Sequence, residues 1–161
     1  MNCFKLTELH TTDSLSEARI LIENGVNVNH SSVGGIQPLH FNSCPEIVEL
    51  LIQKGADVNA TRDDGMSALH IQTDPLIIKM LIEAGANVNC LGIGGATPLH
   101  VVEYLPSLLL LLNAGADPNI LDKKGRLPEE RYGDSAEGVQ MIAILKEFRK
   151  NRNISSQNHI Q

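Results

Sequence analysis

Apolar and polar positions along the chain recur in a fixed order. From Pro45 to Lys54 the sequence reads Pro-Glu-Ile-Val-Glu-Leu-Leu-Ile-Gln-Lys, and Ile47, Val48, Leu50 and Leu51 fall at helical spacing. The same pattern returns with Ala18, Ile20 and Leu21, with Ile77, Ile78, Met80 and Leu81, and with Leu108, Leu110 and Leu111. Helix-start signals precede two of these segments. Ser14-Leu15-Ser16-Glu17 has the form of a capping box, and Asp74-Pro75 places an N-cap before a first-turn proline. Each segment runs into a glycine, Gly25, Gly55, Gly85 or Gly115, where a left-handed residue can end the helix.

These glycines are 30 residues apart. Each opens a similar phrase, such as Gly55-Ala56-Asp57-Val58-Asn59 and Gly85-Ala86-Asn87-Val88-Asn89. A second series keeps the register: Thr7-Glu8-Leu9-His10, Gln37-Pro38-Leu39-His40, Ser67-Ala68-Leu69-His70 and Thr97-Pro98-Leu99-His100. Gly35, Gly65, Gly95 and Gly125 form a third. The Pro-Leu-His phrase predicts a second, shorter helix, with Thr or Ser before it as cap. Polar and glycine-rich stretches such as Asn59 to Met66 predict projecting turns.

On these phrases the chain resembles the ankyrin repeat family, whose pattern includes Thr-Pro-Leu-His-x-Ala at a period of about 33 residues. Thr97-Pro98-Leu99-His100 matches outright, and residues 4 to 148 share the likeness. The resemblance implies an all-α solenoid of helix-turn-helix units with projecting β-turn or hairpin loops. The units fall near 4–33, 34–63, 64–93, 94–123 and 124–149 in one domain (residues 1–149), followed by a polar, mobile tail over 150–161. The fifth unit is degenerate: it opens at Gly125-Arg126-Leu127-Pro128, carries Glu130 in place of His, and ends in a helix near Val139 to Arg149. The chain also departs from the family. The usual x-Ala-Ala-x-x-Gly-His after the histidine is replaced by Phe41-Asn42-Ser43-Cys44-Pro45 and its counterparts, so the inner segment is about three residues short.

Composition fits a solenoid. Only 3% of the residues are aromatic, with no Trp. Thin aliphatic layers between units need no rings, whereas a single large core leans on them. Phe4, Tyr132 and Phe148 fall in end units, where a cap must cover apolar surface. Phe41 and Tyr104 fall on the shortened inner segment, where they either plug the space left or face a partner.

The formal net charge is −6, which disfavours nucleic-acid and membrane-surface roles. The one basic cluster, Lys146, Arg149, Lys150 and Arg152, reads as a solvated helix end. Cys3, Cys44 and Cys90 have no metal-ligand spacing. The start of the chain has no apolar stretch of the secretory type, and a reducing cytoplasm is the expected compartment.

Candidate chemistry is sparse. His10, His40, His70 and His100 share one repeat position, but stacked units lie ~10 Å apart and zinc ligands must each reach ~2 Å from one ion. The family resemblance implies instead that this histidine hydrogen-bonds the turn and ties neighbouring units together. Gly92-Ile93-Gly94-Gly95 lacks the lysine of a phosphate loop, and Asp63-Asp64 lacks a third carboxylate at calcium-loop spacing. No catalytic residue, cofactor or metal site is expected.

The surface that varies while the frame repeats is the remaining candidate. It comprises His30, Val33, Arg62, Asp63, Asp64, Leu91, Ile93, Lys123 and Lys124 on the turn tips. Phe41, Ile71, Val101 and Tyr104 follow the histidines. The resemblance implies that both sets line a concave face that binds protein. Leu91 and Ile93 are apolar where water would favour polar residues, so they either meet a partner or pack on neighbouring tips. The expected function is a non-catalytic module that binds one protein partner with a basic surface, as an inhibitor or immunity-type antagonist of a toxin or enzyme. An exported bacterial effector or scaffold engaging host proteins is the alternative, and a hydrolase using His30 and Asp63 a more distant one. No nucleic acid, membrane or small-molecule substrate is expected.

Overall fold

The computed structural model describes residues 7–157 of the chain, with side chains described through residue 151. Each of the first four units is a four-residue helix followed by a nine-residue helix. The short ones are α1 (Glu8–Thr11), α3 (Pro38–Phe41), α5 (Ala68–Ile71) and α7 (Pro98–Val101). The long ones are α2 (Leu15–Glu23), α4 (Pro45–Gln53), α6 (Pro75–Glu83) and α8 (Leu105–Asn113). A 3-10 turn over Pro128–Arg131 and a last helix, α9 (Ala136–Gln157), form the fifth unit. Short helices contact short ones and long helices contact long ones along the stack, giving two layers.

Local chemistry sets these boundaries. Proline occupies the first turn of α3, α4, α6, α7 and α8, where its missing N–H costs nothing. Asp74 accepts from the Leu76 N–H at 2.8 Å and caps α6. Each short helix stops in an extended residue, Thr12, Asn42, Gln72 or Val102, and the chain turns into the long helix within three residues. That abrupt entry is the structural form of the shortened inner segment. Long helices end at glycines with φ between 85° and 93°, a conformation that side chains rarely adopt.

The core is a continuous aliphatic seam between the layers. Leu9, Leu39, Leu69 and Leu99 supply it from the short helices, and Ile47, Leu51, Ile77, Leu81, Leu108 and Leu111 from the long ones, all buried. Met141 and Leu145 close it at the last helix, with Tyr132 and Phe148 packed against that end. Phe4 and Cys3 lie outside the described residues, as does His159.

One expectation, the end of the last helix, is corrected, and two open alternatives are resolved. The projecting loops are turns rather than hairpins: 3-10 turns at Val33–Gly35 and Ile93–Gly95, and a single antiparallel bridge between Thr61 and Ser67. The last helix does not stop near Arg149 but continues to Gln157, because no Gly or Pro interrupts the sequence after Gly138. Phe41 and Tyr104 do not plug the inner segment; they are 52% and 47% exposed.

Candidate partner-binding surface

The surface rests on a frame of side-chain bonds that cross from unit to unit. The first is the histidine ladder. The backbone N–H of Thr7, Gln37, Ser67 and Thr97 donates to Nδ1 of His10, His40, His70 and His100, each at 3.1 Å. Nδ1 is therefore an acceptor, and the ring proton sits on Nε2. Nε2 donates onward to the carbonyls of Ile36, Ala60, Ala96 and Arg126 at 3.0–3.1 Å, at the base of the next tip. Both ring nitrogens are used. Burial lowers the pKa of His10, His40 and His70, as a neutral donor–acceptor ring requires. In the fifth unit Glu130 stands in for the ring, accepting from the Leu127 N–H at 2.9 Å.

A second ladder was not foreseen from the sequence, although its period was visible. Asn29, Asn59 and Asn89 each donate to the carbonyl of the next unit's glycine, Gly55, Gly85 or Gly115, at 3.0–3.4 Å. Each also accepts, at 2.8 Å, from the N–H of Asp57, Asn87 or Asp117. After Asn119 no further Gly-Ala-Asp phrase follows, and Arg149 of α9 takes over. Its guanidinium donates to the Pro118 carbonyl at 3.2 Å and pairs with Glu129 at 2.6 Å. Arg149 is thus not part of a solvated basic helix end, as its cluster suggested.

Upon this frame the tips project beside the short helices. Leu91 and Ile93 are 59% and 62% exposed, so they do not pack on neighbouring tips. Val33 is exposed in the same way, and so is Leu121 beside the last tip. Backbone bonds join neighbouring tips, from the Asp63 N–H to the Gly34 carbonyl at 2.9 Å and from the Lys123 N–H to the Gly94 carbonyl at 2.8 Å. The side chains of Asp63, Lys123 and Lys124 stay exposed.

Other candidates are partly spent within the chain. Arg62 pairs with Asp64 at 2.9 Å, and Asp64 also accepts from the Met66 N–H. His30 lies edge-on against the His10 ring at 5.9 Å and is half-buried. Asp122 is buried at the base of the last tip, where the Arg126 side chain pairs with it at 2.7 Å and holds its carboxyl well below the usual range. Ile71 and Val101 are half-buried and, with Tyr104, border a recess between the third and fourth units.

The family model for ankyrin repeats, in three copies, matches residues 41–122. The chain belongs to the ankyrin repeat family. No curated protein matches it at significant similarity. Ankyrin repeats are a protein–protein interaction module, and this ankyrin chain has the all-α solenoid the family forms. Among its described residues no group of His, Cys, Asp and Glu could hold a metal ion, and no helix is long and apolar enough to cross a membrane. The Cys90 thiol, pushed up by burial, is a poor nucleophile, and both ring nitrogens of His10, His40, His70 and His100 are held in hydrogen bonds within the chain.

Proposed function

We propose that this ankyrin protein binds one protein partner through its short-helix face and turn tips, acting as an inhibitor or immunity-type antagonist of an enzyme or toxin. The observation that carries the reading is the row of apolar side chains held in water on a hydrogen-bonded frame: Val33, Leu91, Ile93 and Leu121 on the tips, with Phe41 and Tyr104 beside them. Exposed apolar groups on a rigid support lose little entropy on binding and gain from burial. The net charge of −6 and the exposed Asp63 suit a basic partner surface, with association that weakens as salt rises. Recovery of a partner from the native cell by the full chain, compared with the Leu91→Asp/Ile93→Asp double variant, tests the reading. Capture should be abolished with the melting temperature nearly unchanged. Capture that survives these changes and charge reversal at Lys123 would sink it.

A further inference from the structure

A third register joins the units on the short-helix face, and it is broken once. Asn42 donates to the Thr12 carbonyl at 3.1 Å. Gln72, one unit on, donates to the carbonyls of Asn42 at 2.9 Å and Leu39 at 3.3 Å. The Tyr132 hydroxyl, two units further, donates to the Leu99 carbonyl at 2.5 Å. Between them the register holds Val102, which has no donor. The carbonyls of Leu69 and Gln72, the counterparts of Leu39 and Asn42, receive no side-chain bond from it.

A recess of about 210 Å³ opens at this break, between the third and fourth units, and Leu69, Gln72 and Val102 line it. Ser107 lines it too. That residue is 0% exposed, and its hydroxyl has no hydrogen-bond partner among the described residues. A buried, unpaired hydroxyl is unusual enough to ask what completes it. Glu103 stands at the same recess, exposed and in no ion pair among the described residues, next to the exposed ring of Tyr104. No Lys or Arg lines the recess. Of its other side-chain donors, the Gln72 amide turns to the second unit and the His70 Nε2 proton to Ala96, which leaves the hydroxyls of Thr73 and Tyr104, whose oxygens can also accept. What the recess offers is therefore mainly acceptors, one of them charged, with an apolar wall and an aromatic ring.

That lining suits a cation rich in donors on an alkyl stem. An ammonium presents three donors from one point, whereas a guanidinium spreads five in a plane and also stacks on rings. The acceptors here are spread over two units. We propose that this recess binds an arginine side chain of the partner, its guanidinium among the Leu69 and Gln72 carbonyls, the Ser107 hydroxyl and the Glu103 carboxylate, its stem against Val102 and Tyr104. The site rests on the protein-binding reading for the source of the arginine, and its test does not.

The probe is N-acetyl-arginine methylamide, titrated into the full chain and followed by backbone NMR shifts, with the lysine and norleucine analogues as controls. Saturable shifts should cluster at Gln72, Val102, Glu103 and Ser107, with the norleucine analogue weaker by about tenfold or more, because it lacks the charge-assisted bonds. Val102→Gln restores the missing donor and should abolish these shifts while keeping the fold. Should that variant not fold, the exposed Glu103→Gln change decides, and it should weaken binding severalfold, more at low salt than at high. The assignment is overturned by absence of saturable shifts, by equal binding of the lysine or norleucine analogue, or by undiminished binding in a folded Val102→Gln or Glu103→Gln protein. A chain that takes the amide but captures no partner would defeat the proposed function and leave the site standing.

Discussion

Nε2 of His70 lies 3.0 Å from the carbonyl oxygen of Ala96, so one imidazole closes the start of its own short helix and also grips the base of the next tip. Stability of the stack is carried across boundaries of this kind. Each unit buries only a thin apolar layer and depends on its neighbours.

Replacing His70 with Ala leaves the Ser67 N–H without its partner, removes one of the two bonds to the Ala96 carbonyl, and opens a cavity in a buried site. The expected loss is about 2–4 kcal/mol, read as a lowered midpoint in urea unfolding. An unchanged midpoint would mean that the ladder contributes nothing.

The same rings make stability depend on pH. His10, His40 and His70 have pKa values lowered from 6.5 in the fold, chiefly by burial, so the unfolded chain binds protons more readily. Their contribution is complete above the unfolded pKa of about 6.5 and is lost as pH falls through the lower folded values. A second loss follows below the ordinary carboxyl pKa of about 4, where the unfolded chain protonates Asp122 and Glu129 while the fold still holds both carboxylates ionised. Melting temperatures measured from pH 7.5 down to about 3 should fall in these two stages.

Gly85 and Gly35 separate two reasons for glycine. A Cβ at Gly85 would meet nothing within 4 Å, so Gly85→Ala costs only the left-handed backbone, about 1–2 kcal/mol. At Gly35 the same atom would come within 2.8 Å of the Asp63 backbone nitrogen. Gly35→Ala should therefore cost more and disturb the contact between the first two tips, visible as amide shifts at Arg62 and Asp63.

Arg149→Ala should remove the bond from the last helix to the Pro118 carbonyl of the fourth unit and strand the Glu129 carboxylate of its own unit, which is 9% exposed. A loss on the order of 3 kcal/mol is expected. It should be local: hydrogen exchange should quicken in α9 and the Pro128–Arg131 turn while α4 and α6 keep their protection.

Much of this architecture was legible because it is periodic. The 30-residue spacing of the glycines and of the Leu-His phrase located the long helices, the short helices and the turns, and the missing residues after each histidine foretold the abrupt entry into the long helix. The candidate surface was less legible. Arg62, Asp64 and His30 read as free tip residues, yet two pair with each other and the third lies against His10, since hydrophilicity does not say which neighbour a side chain will find.

The low aromatic content, the unit boundaries and the family followed from residue types and intervals alone, because helix starts, glycine ends and aliphatic seams depend on neighbours within one unit. Bonds between units were decided only in three dimensions. Asn29 reaching Gly55, Arg149 reaching Pro118, and Val102 leaving a gap beside Ser107 all depend on how two units stack. Stacking brings together residues 20 or more positions apart, so the sequence shows that an asparagine or a valine recurs or departs from its register, and the fold shows what that residue touches.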